Sequence, residues 1–371
     1  VDMHVHLRDP GFTYKEDILT GTAAAARGGI TSLVCMANTN PVTDSPEQIR
    51  YILDQARQGS GVHVYPAGAV SLGLKGLELT DAEALKKAGA AALSDDGCNV
   101  DNADLMRDAL IRARGLHLPI LSHCEDTSMA GNRALNEGRV SRQLWMEGRP
   151  AIAEEIMVMR DAMLAEETGA AVHICHVSTA KSVSIIRSMK KKGVSITCET
   201  CPQYFTLTED EILTQGSLAR VNPPLRTQKD VHGIVSGLRD GTIDAIATDH
   251  APHSAEEKAR PLAKAPSGMV GLETSLALSL THLYHTGKLE LPALIRRMTY
   301  NPANILHLHH KGRLAIGADG DVTVFDPNES WVIDPEQFAS KGRNTPFSGW
   351  TVKGRVKYTI AEGRVIYEEG L

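Results

Sequence analysis

No apolar run in this sequence approaches the ~18 residues that a membrane-crossing helix needs. Long basic blocks are missing as well. The formal net charge is −6, and Lys190-Lys191-Lys192 reads as the solvated end of a helix rather than a nucleic-acid patch. Cysteine is sparse and irregularly spaced, six in 371 residues, so no disulfide framework is encoded and a reducing, cytoplasmic compartment is expected. No glycine-rich dinucleotide fingerprint follows the first strand, which argues against an open nucleotide-binding sheet. With 42% hydrophobic and 23% charged residues, the length suits one large domain or two modest ones with ample core. The chain opens on Val rather than Met, inside a strand, so further residues are expected upstream.

What is present begins at that first strand. From Val1 to Leu7 apolar and polar residues alternate, the period of a β-strand, so His4 and His6 project the same way. Pro10-Gly11 then turns the chain. Two imidazoles side by side at a strand end, with Arg8 next to them, form half of a metal site beside an anion-binding group. A solvent-facing strand edge would give the same pattern, and the remaining chain must decide.

Downstream, helices and apolar strands alternate. Helix is expected over Tyr14–Ala26, closed by Gly28-Gly29, then strand over Thr31–Met36. Helix Glu47–Arg57 leads to strand Val62–Ala69, and helix Asp81–Lys87 to strand Ala90–Ser94. Helix Ala103–Arg114 precedes strand Pro119–His123, and helix Ala153–Glu166 precedes strand Ala171–Val177. Helix Ala180–Lys191 leads to strand Ser195–Glu199, a longer excursion to Asp244–Ala247, and helices Leu272–Tyr284 and Ala293–Met298 follow. Alternation of this kind predicts an α/β fold with a parallel sheet. Eight such units over about 300 residues fit a (β/α)8 TIM-like barrel better than an open doubly wound sheet. From Gly312 the texture changes to short strands, at Val322–Phe325, Val356–Ile360 and Arg364–Tyr367, the last two flanking Gly363 as a hairpin. The expected division is a barrel over residues 1–311 and a small β module over 312–371. So few strands are marginal alone, and we expect a β-sandwich whose N-terminal part lies upstream of Val1.

Barrel enzymes carry their chemistry at the C-terminal ends of the strands. Those ends present His4, His6 and Arg8; Asn38; Asp95 and Asp96; His123; His176; and Asp249, His250 and His253. Imidazole with carboxylate suits zinc and its neighbours. Cys124 and Cys175 flank His123 and His176, fall on the opposite strand face, and read as packing residues. His63, His117, His173 and His232 lie away from the rim and read as structural, and His307, His309 and His310 as the cap of a final helix. His250 is a candidate to orient Asp249. The segment 251–268, rich in Pro and Gly, is expected to close over the mouth on substrate.

Six stretches carry a family resemblance: Asp2-Met3-His4-Val5-His6-Leu7-Arg8-Asp9-Pro10-Gly11, Met36-Ala37-Asn38-Thr39-Asn40-Pro41, Ser94-Asp95-Asp96-Gly97, His123-Cys124-Glu125-Asp126, Val221-Asn222-Pro223-Pro224-Leu225-Arg226 and Thr248-Asp249-His250-Ala251-Pro252-His253. In this order they resemble the amidohydrolase superfamily and, within it, the type I dihydroorotases of bacteria, over Val1 to Asp326. The resemblance implies a zinc-dependent, reversible cyclisation of N-carbamoyl-L-aspartate to L-dihydroorotate in pyrimidine biosynthesis, with one or two zinc ions per chain. It implies that His4 and His6 bind one metal, His123 and His176 a second, and Asp96 bridges them. Asp249 would touch the first metal and act as general base and acid. Arg8, Asn38 and His253 would hold the substrate carboxylate, to which Arg offers a matching fork of donors, and Asn222 would line the pyrimidine ring. A zinc ion lowers the pKa of its water to about 7, and a metal pair can clamp the developing oxyanion. Many relatives bridge their metals with a carboxylated lysine; here Asp95-Asp96 stands instead, as in the type I group, and Asp96 aligns with that ligand. A homo-oligomer and an association with aspartate transcarbamoylase are further implications. A hydantoinase or allantoinase is the first alternative, against which Arg8, Asn38 and the aspartate bridge weigh. A non-catalytic structural partner of the transcarbamoylase is the second, against which the six retained ligand positions weigh.

Overall fold

The computed structural model of the chain describes residues 1–370. Eight parallel strands hydrogen-bond in sequence order: β1 (Asp2–Val5), β2 (Ser32–Cys35), β3 (His63–Gly68), β4 (Ala92–Leu93), β5 (Ile120–Ser122), β6 (Val172–Ile174), β7 (Ile196–Thr200) and β8 (Ala245–Ile246). The ring closes just beyond β8, where Val5 bridges His250 in parallel and the His6 amide donates to the His250 carbonyl at 2.8 Å. Helices return the chain between strands: α1 (Ile18–Arg27), α2 (Pro46–Ala56), α3 (Ala82–Ala88), α4 (Ala103–Leu116), α5 (Ile152–Thr168), α6 (Ala180–Lys191) and α7 (Gln228–Asp240). This is the (β/α)8 barrel that the alternation predicts. Among the described residues no helix is long and apolar enough to cross a membrane.

Local chemistry explains the elements. Asp17 caps α1 by accepting from the Thr20 amide at 2.8 Å, and α1 turns Ile18, Ala24 and Ala25 onto the barrel wall. Helix α7, inside the long excursion, is the one barrel helix that the sequence reading does not assign. Its apolar residues Val231, Ile234, Val235 and Leu238 do follow helical spacing and are buried, but Gly233 and Gly237 lower its intrinsic propensity. The structure gives Gly233 its reason: a Cβ there would sit 2.4 Å from the Ala180 Cβ, so the glycine lets α7 approach α6.

The barrel interior is filled by Met3, Val34, Met36, Ala67, Ala92, Leu121, Cys175, Ala245 and Ala247, all buried. Two of these depart from simple alternation. Strict alternation over Val1–Leu7 puts Met3 on the face away from His4, yet it packs with Val34 and Met36, where the pairing register between β1 and β2 shifts between Asp2 and Val5. Cys175 also lies inside, beside His4 and Glu199, and is not an outward packing residue.

The tail forms an antiparallel sheet of three strands, in the order β11 (Arg364–Glu368), β10 (Thr351–Ala361), β9 (Val322–Val332). Its tight hairpin turns at Glu362-Gly363, both with positive φ (49° and 76°), the backbone of a type I′ turn. Between β9 and β10 the chain leaves this sheet and packs on the barrel, burying Ile333 and Phe347. There Glu273 accepts from the Ala339 and Ser340 amides at 3.1 and 3.2 Å.

Gly11 marks where the first strand's exit loop meets the second. Its φ is +96°, and a Cβ there would fall 2.1 Å from the Asn40 carbonyl oxygen. Gly11→Ala is therefore expected to destabilise the chain by about 1–3 kcal/mol. Equilibrium urea unfolding checks this; an unchanged midpoint would show that the two loops separate freely.

Candidate metal and active site

The strand ends deliver six side chains to one buried point. Asp96, just beyond β4, is its centre. Oδ1 lies 3.3 Å from His4 Nε2, 3.3 Å from His176 Nε2 and 3.6 Å from His123 Nδ1, and Oδ2 lies 3.4 Å from His6 Nε2. Asp249, beyond β8, closes the other side, its Oδ1 3.1 Å from His6 Nε2 and 3.7 Å from His4 Nε2. The backbone bends to aim these groups: His176 (φ 33°), Asp249 (φ 48°) and Arg8 (φ 61°) all sit in the left-handed region that non-glycine residues rarely occupy.

The donor set fits a divalent metal. His4 Nε2, beside Asp96, is buried without a hydrogen-bond partner, and His123 Nδ1 faces His176 Nε2 at 2.8 Å. His4, His6 and Asp249 bring ligand atoms within 4.8 Å of one another, as do His4, Asp96 and His176. Bare imidazole nitrogens beside carboxylates are a ligand set for zinc-like ions. Charge compensation is built in. Asp96 is held well below the usual carboxylate range: burial opposes ionisation, but His4, His123 and His176 outweigh it. The His123 imidazolium is correspondingly favoured, its pKa pushed up to about 9, because Asp96 and Glu125 outweigh burial.

Asp95, the neighbouring candidate, is fully occupied elsewhere. It accepts from the Val70 and Ser71 amides at 2.7 and 3.0 Å and from the Ser71 hydroxyl, and it fastens the β3 exit loop. The outer nitrogens of His4, His6 and His123 are also held. Asn38 Oδ1 lies 2.9 Å from His6 Nδ1, and Asn38 Nδ2 donates to the Asp96 carbonyl at 3.2 Å. Asn222 Nδ2 lies 3.3 Å from His123 Nε2, while Arg149 donates to Asn222 Oδ1 and to both Glu125 oxygens at 3.0 Å. Glu199, on β7, contacts His4 Nδ1 at 2.8 Å and lies 3.3 Å from His173 Nε2. Sequence reasoning placed Glu199 at a strand end but gave it no role, and read His173 as structural. Arg149 and Lys15 also went unnoticed. The sequence offers only the position of Glu199, a carboxylate at the C-terminal end of a barrel strand. Its neighbour on the rim, His250, turns away from Asp249; its ring lies 3.3 Å from Glu16 and accepts from the Gly271 amide at 3.1 Å.

One wall is cationic. Arg8 Nε donates to the Pro252 carbonyl at 3.2 Å, and its Nη2 lies 3.3 Å from His253 Nε2. Lys15 Nζ donates to His253 Nδ1 at 3.3 Å, and His253 Nε2 lies 2.8 Å from the Ser267 carbonyl. That pattern sets an Nε2–H tautomer of a neutral ring. The 251–268 segment over this wall is fastened by Lys258. The Lys258 ammonium donates to the carbonyls of Arg220, Pro266 and Gly268 at 3.3, 3.1 and 3.0 Å.

Burial, followed by the positive charges of Arg8 and Lys15, pushes the His253 imidazole down to about 2. The unfolded chain protonates this ring below about pH 6.5 and the folded chain does not. The unfolded state then binds the extra proton, so His253 costs stability progressively as pH falls through that range. His253→Gln is expected to flatten the decline in melting temperature between about pH 6.5 and 4.5 and to leave the slope above about pH 7.5 unchanged. Parallel curves for the two proteins would show that the ring titrates normally.

Comparison with known proteins agrees with this geometry. The family described as Dihydro-orotase-like matches residues 1–182. The dihydroorotase of Acetivibrio thermocellus is 49% identical over 369 residues, which cover 100% of this chain and 86% of that protein. The dihydroorotase of Pelotomaculum thermopropionicum is 51% identical over 369 residues, with the same coverage of 100% and 86%. Among solved structures, the L-hydantoinase (dihydropyrimidinase) of Arthrobacter aurescens superposes with a TM-score of 0.90 at 26% identity, covering 100% of this chain and 84% of that one. The D-hydantoinase of a Thermus species shares the fold, with a TM-score of 0.84 at 22% identity and coverage of 100% and 84%. With half of its residues shared along most of the length of such relatives, the chain belongs to the dihydroorotase family, cyclic amide hydrolases of the amidohydrolase superfamily.

Proposed function

We propose that this chain interconverts L-dihydroorotate and N-carbamoyl-L-aspartate at a zinc site held by His4, His6, Asp96, His123, His176 and Asp249. The observation that carries the reading is the Asp96 carboxylate faced by four imidazoles at 3.3 to 3.6 Å. When bound there, zinc supplies Lewis acidity toward the ring carbonyl and lowers the pKa of water. The chain's own residues do the rest. Asp249 accepts a proton from the attacking water and returns it to the departing ring nitrogen as the amide C–N bond breaks and the new C–O bond forms. Arg8 binds the substrate carboxylate, with His253 at the same wall and Asn38 beside His6, and Asn222 lies against the pyrimidine ring. The neutral His253 ring leaves Arg8 and Lys15 as the cations that attract the anion. A hydantoin-opening activity has structural likeness behind it, at 26% identity or less in the examples above, against about half for dihydroorotases.

The remaining organisation is part of the same proposal. The barrel occupies residues 1–311 and the small β module residues 312–371, and the setting is cytoplasmic. Self-association has a candidate surface on α5, where Ile152, Ile156, Met159 and Met163 are 45, 41, 38 and 58% exposed. Their spacing of four, three and four residues is that of a helix–helix seam. Association with aspartate transcarbamoylase rests on the family alone.

Two measurements test these readings. Zinc-loaded protein is expected to hydrolyse dihydroorotate, followed in the ultraviolet, with Asp249→Asn lowering kcat by about 10²–10⁴-fold. The zinc content of both proteins is counted, so that metal loss and loss of the base are told apart. Hydantoin opening without dihydroorotate hydrolysis would overturn the substrate assignment. Light scattering of Met159→Lys with Met163→Lys is expected to give half the molar mass of the unaltered protein or less. Equal masses would move the interface off α5.

A further inference from the structure

We propose that Glu199 is a positioning residue that fixes the metal-facing tautomer of His4, and that His173 holds Glu199 in turn. The inference rests on the metal-dependent reading above and extends it to two residues outside the ligand set. Glu199 Oε1 lies 2.8 Å from His4 Nδ1, and both side chains are 0% exposed. A carboxylate offers no donor, so His4 Nδ1 carries the proton and the Nε2 lone pair is left bare. That nitrogen faces Asp96 Oδ1 at 3.3 Å and has no hydrogen-bond partner of its own. On the far side, Glu199 Oε2 lies 3.3 Å from His173 Nε2, an ion-pair contact outside hydrogen-bond geometry, and His173 Nδ1 is 2.8 Å from the Thr197 hydroxyl. His4, Glu199 and His173 thus form one buried run of polar contacts leading away from the ligand cluster and ending at the half-buried Thr197.

The setting makes a merely incidental role implausible on physical grounds. Below the rim Met3, Met36, Leu121 and Ala245 line the barrel, with Asp2 bonded to Thr248, and a carboxylate there is strongly disfavoured unless it is paired. An apolar side chain on β7 would fill the same space without that cost. The carboxylate's one direct connection to the site is the outer nitrogen of His4. A ligating histidine whose outer N–H is given to a carboxylate has a fixed ring plane and a more basic inner nitrogen.

The test uses the full chain stripped of metal and titrated with Co²⁺, read by its visible spectrum and by competition with a chelator. Glu199→Gln and Glu199→Ala are expected to weaken Co²⁺ binding about 10–100-fold and to change the ligand-field band. His173→Asn, which leaves Glu199 in place, is expected to give a smaller loss of the same sign. Unaltered affinity and spectrum in Glu199→Gln would overturn the role of Glu199 and leave the metal-dependent reading standing. Failure of the unsubstituted chain to bind Co²⁺ would overturn that reading itself. A variant that only lowers the melting temperature of the metal-free chain, with Co²⁺ affinity intact, would reduce Glu199 to a structural part and overturn the proposal. Should the Glu199 variants fail to fold, His173→Asn decides, and wild-type affinity in it counts against the proposal.

Discussion

A compensated charge holds this site together. Asp96 is 4% exposed, and its carboxylate meets imidazoles from β1 and from the ends of β5 and β6. An isolated carboxylate in such a place would protonate, because burial penalises the charged form. It stays ionised only because the histidines are held at the right distance, and the histidines tolerate their proximity only because the carboxylate is there. Neither half is stable without the other.

That mutual dependence explains how much of the surrounding structure is devoted to orientation. Asn38 holds His6, Asn222 approaches His123, and Glu199 meets His4, each at the ring nitrogen turned away from the cluster. These partners are themselves held. Arg149 fixes Asn222 and Glu125, and Arg226 reaches Asn136 at 2.9 Å and the Arg149 carbonyl at 3.2 Å. Sites that place side chains within a fraction of an ångström need such supporting contacts on rigid elements. The parallel barrel provides them, since its strands all end at the same rim.

Much of this was legible from residue order alone. The barrel could be read because helical and strand periods alternate over the whole length, and α6 over Ala180–Lys191 falls where its spacing predicts. The ligand candidates could be read because they cluster at strand ends, and His4 and His6 do share a face. Three things were hidden, each for a physical reason. A register shift within β1 brings Met3 into the barrel, and pairing register is not written in one strand. Glu199 looks like any strand-end carboxylate until the partner across the barrel is known. Helix α7 contains glycines whose purpose is contact with α6, so local propensity underrates it.

The tail carries the same lesson into the mouth of the site. The segment between β9 and β10 reaches the loops at the C-terminal face of the barrel. Asn344 accepts from the His253 amide at 3.0 Å and donates to the carbonyls of Ala251 and Gly268 at 3.0 and 3.1 Å. Ser340 donates to Glu16, which in turn lies 3.3 Å from His250, the residue next to Asp249. The loop that carries His253 is therefore pinned from two sides, by Lys258 within it and by Asn344 from the tail. A barrel alone would keep the clustered histidines but lose the Asn344 contacts that hold the His253 loop. The imidazole–carboxylate cluster and the cationic wall thus rest on different parts of the chain: strand ends for the cluster, and loops tied down by the tail for the wall.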